Sequence, residues 1–374
     1  VDNIESTPLS LADLKESMTA AATGPIDIFS YSFMQLCGLA YDVDPADIPA
    51  MVRNPANVRP WGQGRWTCLW GPALDSDEAN LVYVAAFYDG PTGLPVAAAV
   101  VIRGTDITDD PWGDLWEAFE DLDVALQYPL PWAGWSPARV AGGTLDALTT
   151  IQSLVSNGRT LFDFLTSFLG SPANEKPVLA ITGHSLGGCL ASVAAPWLKA
   201  ALGARGVSVP IVPTTFAAPT AGNAAFADYL KQNFQYAPRY YNTLDMVPYG
   251  WSNLPGVQSL YDEYGLTTPL LVQAAVDTME GLMDAGGASY AQPVDAGTLT
   301  GTFCLQLSWY QQVSTQHDHR NYIALMGGES PVCYGAPRPR NRRHAPEHRE
   351  AVLGGDGRSV GEQAVDDSSP PPVG

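Results

Sequence analysis

Short apolar runs bounded by Gly and Pro alternate along this chain with longer stretches whose apolar residues recur every three or four positions. The short runs predict strands at Asn80–Tyr88, Val96–Ile102, Val178–Thr182, Ile211–Phe216 and Arg239–Leu244. Asp89-Gly-Pro-Thr-Gly-Leu-Pro95 is a turn, so the first two form a hairpin, and the wholly apolar second strand belongs at the centre of a sheet. Pro213 predicts a bulge or an exposed edge in the fourth run.

The helical spacing covers Ile28–Tyr41, Thr144–Leu169, Leu190–Leu202, Ala224–Phe234 and Leu270–Met283, with a last helix opening at Tyr322–Met326. Residues 1–50 read as helical throughout, and Ser10 with Asp13 resembles a capping box. Between Trp112 and Leu126, apolar residues at 112, 115, 116, 119, 122 and 126 predict an amphipathic helix with an aromatic face. A buried surface helix or strand packed on the core is the plainer reading of the same stretch. Asn253–Gly301 is less regular.

The pattern accounts for most of the chain, and composition narrows it. With 374 residues, 46% of them hydrophobic, a substantial core is affordable. No apolar run reads as a bilayer span, and Val1–Ala22 has no signal-peptide pattern, so the compartment stays open. From residue 335 onward large apolar residues almost vanish, and disorder is expected over 335–374. Six Arg balance six Asp and Glu there, so the whole net charge of −20 belongs to residues 1–334, read as a single domain. That charge excludes nucleic acid and adsorption to anionic lipid as expected partners. The five cysteines (Cys37, Cys68, Cys189, Cys304, Cys333) show no C-x-x-C, which argues against zinc and leaves one or two disulfides open.

Chemistry concentrates at Gly183-His-Ser-Leu-Gly187, a G-x-S-x-G between a predicted strand and a predicted helix. That context makes it a nucleophile elbow, with Ser185 on a strained turn and the helix amides facing developing negative charge. A serine nucleophile needs a base, and there are five histidines. His184 is inside the elbow, and His344 and His348 are in the tail, which leaves His317 and His319 in one predicted loop. Of the acidic residues lying between serine and histidine, Asp245 is at the end of a convincing strand. Oxyanion donors are expected from the backbone of Leu186 and from Thr105, after the central strand.

Four segments together resemble the class 3 lipases, of the fungal triacylglycerol lipase type: Val101-Ile-Arg-Gly-Thr-Asp106, Thr182-Gly-His-Ser-Leu-Gly-Gly188, Thr215-Phe-Ala-Ala-Pro219 with Gly222-Asn223, and Asn242-Thr-Leu-Asp-Met-Val-Pro248. The resemblance runs from about Leu39-Ala-Tyr41 to Gly327. It implies an α/β-hydrolase fold, a mostly parallel twisted sheet with helices on both faces. It also implies Ser185 as nucleophile, Asp245 as acid, and Thr105 with Leu186 as oxyanion hole. In many members the histidine lies five residues before a helix tyrosine, which gives His317 with Tyr322 and makes His317 the expected base; the three-residue spacing of other members leaves His319 as the alternative. The family's lid follows the Arg-Gly-Thr segment, which makes 107–137 the candidate lid and Trp112, Trp116 and Phe119 its substrate-facing candidates. Val140-Ala-Gly-Gly-Thr144 departs from the family's Val-His-x-Gly-Phe, and 253–301 has no clear counterpart, so it is a candidate for shaping the acyl pocket. The expected function is hydrolysis of acylglycerol or similar lipid esters by a monomer, without metal or organic cofactor. A short-chain esterase or phospholipase with the same chemistry, and a lipase-like binding protein without it, are the alternatives.

Overall fold

The computed structural model describes residues 28–76, 79–104, 122–134, 136–174, 176–293, 296–329 and Cys333. The capping box at Ser10 and Asp13, Thr105, the lid candidates Trp112, Trp116 and Phe119, and the tail 335–374 lie outside these residues.

Among the described residues, seven strands form the main sheet: β1 (Arg65–Leu74), β2 (Leu81–Tyr88), β3 (Pro95–Ile102), β4 (Val178–His184), β5 (Ile211–Phe216), β6 (Arg239–Asn242) and β7 (Ala296–Leu299). Their spatial order is their chain order. β1, β2 and β3 pair antiparallel, and β3 through β7 pair parallel. Helices α1 (Ile28–Asp42), α2 (Ile48–Arg53), α3 (Gly142–Ser153), α4 (Leu161–Gly170), α5 (Leu186–Ala204), α6 (Ala224–Asn233), α7 (Leu254–Ser259), α8 (Leu270–Gly286), α9 (Trp309–His317) and α10 (His319–Gly327) surround it.

The period of two along the strands sorts the core into two layers. Val82, Val84, Ala98, Val100, Ile102, Leu179 and Ile181 face α3, α4 and α5 through Leu148, Leu165, Leu190 and Val193. Tyr83, Ala85, Ala97, Ala99, Val101 and Ala180 face α1 and α10 through Phe33, Leu36 and Tyr322. Every residue of β3 and β4 is buried, as continuous apolar strands between two helical layers must be. A third cluster joins Leu244, Met246 and Val247 to Val272, Val276, Met279 and Met283 of α8 and to Trp309 and Val313 of α9. The irregular stretch from 253 thus becomes a helical buttress. It also grips the described end of the candidate lid: Tyr290 Oη donates to the Val124 carbonyl at 2.7 Å, and Gln127 Nε2 to that of Ser289 at 2.7 Å.

Several expectations need correction. Leu122–Ala125 is turn rather than helix and leads into a short ladder, Gln127–Pro129 with Arg139–Ala141. The helix expected over Thr144–Leu169 is two, α3 and α4, split by two-residue strands around Asn157-Gly158. Both turn residues have positive φ, 51° and 73°, as a tight hairpin between twisted strands requires. β1 escapes the pattern because Gly71-Pro72 interrupts it and two register shifts break its alternation. Pro213 lies inside the sheet, without a register break against β4. β6 pairs only with Thr215 and Phe216, so at Pro213 the ladder runs on the β4 side alone. β6 stops at Asn242, three residues before Asp245. His317 and His319 are not in a loop: one ends α9 and the other opens α10. Finally, the 19-residue α5 is long and apolar enough by composition to cross a membrane, yet 61% of its most apolar window is buried inside the fold, as befits a core helix.

Candidate active site

Ser185 links β4 directly to α5 with φ 59° and ψ −133°, a conformation that costs a side chain about 1–3 kcal/mol. The surroundings hold it there. Its N–H donates to the Phe216 carbonyl at 2.9 Å, across to β5. A Cβ at Gly183 would overlap the Gly187 carbonyl group, and one at Gly187 would overlap the carbonyl oxygen of Ile102, so both positions admit only glycine. Leu186, the next residue, opens α5, where the first amides have no intrahelical acceptor.

The Ser185 Oγ lies 2.8 Å from His317 Nε2, and His317 Nδ1 lies 2.8 Å from Asp245 Oδ2. Serine, histidine and aspartate are 3%, 1% and 0% exposed, so solvent does not compete for these bonds. A proton on Nδ1, facing the carboxylate, leaves the Nε2 lone pair directed at the hydroxyl. Asp245 accepts two further bonds, from Tyr322 Oη to Oδ2 at 2.7 Å and from the Val247 N–H to Oδ1 at 3.0 Å. Burial, and then the Asp245 carboxylate, hold the Tyr322 phenol well above its ordinary pKa, so it remains a donor. The arrangement is a buried relay in which a hydroxyl can lose its proton to an imidazole whose opposite face meets a carboxylate.

The remaining candidates fall elsewhere. His319 stacks on Tyr41, ring centroids 5.1 Å apart, and its Nε2 lies 3.1 Å from Asp42 Oδ2. The His184 ring packs 4.8 Å from that of His317 and edge-on to Tyr322. Burial, reinforced by His317 and His319, pushes His184 well below the usual imidazole range, so it packs as a neutral ring.

Tyr41 is a participant that the residue pattern did not single out. In sequence it is one more aromatic on a buried helix. In space its Oη accepts from the Gly104 N–H at 2.9 Å and donates to the His184 carbonyl at 3.1 Å. It thereby ties the chain leaving β3 to the residue before Ser185. Tyr41→Phe strands two buried backbone groups, each worth about 1–3 kcal/mol when unsatisfied. The expected result is a lower melting temperature, together with a kcat about tenfold down on a soluble ester at nearly constant KM, since the spacing between the two strand ends loosens.

Residues 99–252 match the family model described as Lipase (class 3). No curated protein matches the chain. Among solved structures, M37 lipase is similar with a TM-score of 0.66 and 26% identity, covering 81% of this chain and 94% of that one. The lipase of Rhizomucor miehei, solved with its propeptide, gives 0.40 and 21%, covering 59% and 62%. A triacylglycerol lipase from Penicillium expansum gives 0.44 and 18%, covering 75% and 82%.

Proposed function

On the premise that the chain belongs over residues 99–252 to the class 3 lipases, with their α/β-hydrolase fold and lipase-type ester hydrolysis, we propose that it cleaves carboxylic esters of lipids, acylglycerols foremost, through Ser185, His317 and Asp245. The observation that carries this reading is the unbroken Ser185–His317–Asp245 hydrogen-bond chain at the end of the parallel sheet. In the first half-reaction the Ser185 Oγ adds to the acyl carbonyl carbon as His317 Nε2 takes its proton. The Leu186 N–H receives the developing oxyanion, joined by Thr105 as second donor. Collapse expels the alcohol, which takes the proton from His317, and leaves an acyl-serine. Water, deprotonated by the same nitrogen, then releases the fatty acid. Asp245 holds the imidazole in the productive tautomer throughout and stabilises the imidazolium.

The substrate's physical form follows from charge and surface. At a net charge of −20 a neutral or zwitterionic lipid–water interface suits the protein better than an anionic one. Leu270, Leu271 and Leu282 of α8, 81%, 77% and 56% exposed, supply apolar contact for it. Two measurements test the proposal. A fluorophosphonate probe should label wild-type protein at Ser185, with peptide mapping to identify the site; a folded protein that resists the probe would make it a non-catalytic relative. Hydrolysis of emulsified triacylglycerol should exceed that of dissolved p-nitrophenyl butyrate; the opposite ranking favours a short-chain esterase, and preference for diacyl phospholipid a phospholipase.

A further inference from the structure

We infer that Asn242 and Gln316 are a positioning pair, whose carboxamides lock the loop carrying Asp245 to the helix carrying His317. The inference deepens the proposed reading of Ser185, His317 and Asp245 and rests on it.

Asp245 and His317 each sit where regular structure has run out. Asp245 lies three residues past the end of β6, and His317 is the last residue of α9. Neither the sheet ladder nor the helix ladder fixes their mutual distance, although they are 72 positions apart in sequence. Reacting groups displaced by about 1 Å can lose about 100-fold in rate, so something must hold these two ends together.

Asn242 does so with every polar group it has. Its backbone N–H donates to Tyr322 Oη at 2.9 Å, and its carbonyl accepts from the Asp245 N–H at 3.0 Å. Its Oδ1 accepts from the Leu244 N–H at 3.1 Å, which shapes the turn leading to Asp245. Its Nδ2 donates to the Gln316 carbonyl at 3.0 Å and to Gln316 Oε1 at 2.8 Å. That carbonyl is one of the last of α9, where the helix itself offers no donor, so Asn242 closes the helix end that bears His317. The donor set also settles the amide's orientation, because a flipped Asn242 would aim its oxygen at two acceptors.

Gln316 is anchored in turn. Its Nε2 donates to the Thr302 carbonyl at 2.8 Å and to Gln312 Oε1 at 3.3 Å, and Gln312 Nε2 donates to the Cys304 carbonyl at 2.7 Å. Cys304 is disulfide-bonded to Cys333. Asn242, Gln312 and Gln316 are all 0% exposed. A buried network this fully satisfied specifies one geometry in a way that apolar packing would not. Gly301 makes room for it, since a Cβ there would overlap Asn242 Oδ1.

Gln316→Met tests the inference, keeping the volume while removing both polar ends. Gln316→Asn is the second variant; its amide stops one methylene short of Asn242. On dissolved p-nitrophenyl butyrate both are expected to lower kcat about 10–100-fold with KM within about twofold, in chains that circular dichroism shows to be folded. The proton between His317 Nδ1 and Asp245 is expected far downfield in the wild-type NMR spectrum, and broadened or lost in both variants. Asn242→Ala combined with Gln316→Met should lose no more than the worse single variant, because both remove one link. Wild-type kcat with an intact downfield proton in folded Gln316→Met overturns the inference. So do strictly additive losses, and so does unfolding of both Gln316 variants, which would make the pair a stability element. The downfield proton is read without substrate, so a mistaken substrate class leaves this test standing. Its absence from the wild type would instead remove the reading of the three reacting groups.

Discussion

Ser185→Ala is expected to reduce kcat on p-nitrophenyl butyrate and on emulsified triacylglycerol by about 10⁴–10⁶-fold while the protein keeps its fold. Alanine removes the oxygen that the proposed mechanism acylates and leaves the Nε2 of His317 without its hydroxyl partner. The elbow itself should survive. Its strain at φ 59° is borne equally by serine and alanine, and the backbone bond from residue 185 to Phe216 is untouched. The melting temperature should therefore stay within a few degrees of wild type. Ester turnover by Ser185→Ala within tenfold of wild type would rule this site out, whatever the fold resembles.

His317→Ala should cost nearly as much, and His319→Ala should not. Residues acting as one unit are grossly non-additive, so Ser185→Ala with His317→Ala is expected to be no slower than either alone. Asp245 keeps the Tyr322 hydroxyl and the Val247 N–H in His317→Ala, so its carboxylate is not stranded and the variant should fold. His319→Ala loses its stacking on Tyr41, its approach to Asp42 and its edge-on packing on His184, effects that reach Ser185 only at second hand, through Tyr41 and His184. A loss of no more than about tenfold in kcat is expected there. Equal losses in the two histidine variants, measured at matched folded fraction, would contradict the geometry.

These expectations show where local pattern suffices and where it fails. β3 and the first half of β4 are legible because a parallel strand buried on both faces must be apolar, and that requirement is written residue by residue; β5 shows it less clearly, since Pro213, Thr214 and Thr215 interrupt it. The elbow is legible for a similar reason. Gly183 and Gly187 are demanded by contacts within a single turn, or with the adjoining strand, and Ser185 stands between them. The base could be narrowed to two histidines by position alone. The family's five-residue spacing to Tyr322 favours His317, and the physical ground is the break at Asp318, which ends α9 on His317 and starts α10 on His319, turning one ring to Ser185 and the other to Asp42.

Other features left too faint a local trace. β1 carries Gly71-Pro72 in mid-strand, and its membership of the sheet depends on β2 as partner. The split between α3 and α4 turned on Asn157-Gly158, two residues that outweighed a long helical spacing on either side. Tyr41, Asn242 and Gln316 look like ordinary core or polar positions until Gly104, Leu244 and Thr302 are brought beside them. By itself the sequence determined strands β2 to β6, the serine turn and a short choice of partners, because periodicity and steric need act between near neighbours, while β7 stayed hidden in the irregular stretch. Only the tertiary structure decided which imidazole meets the hydroxyl and what holds it there, because groups 72 to 132 residues apart acquire a distance only when layers pack.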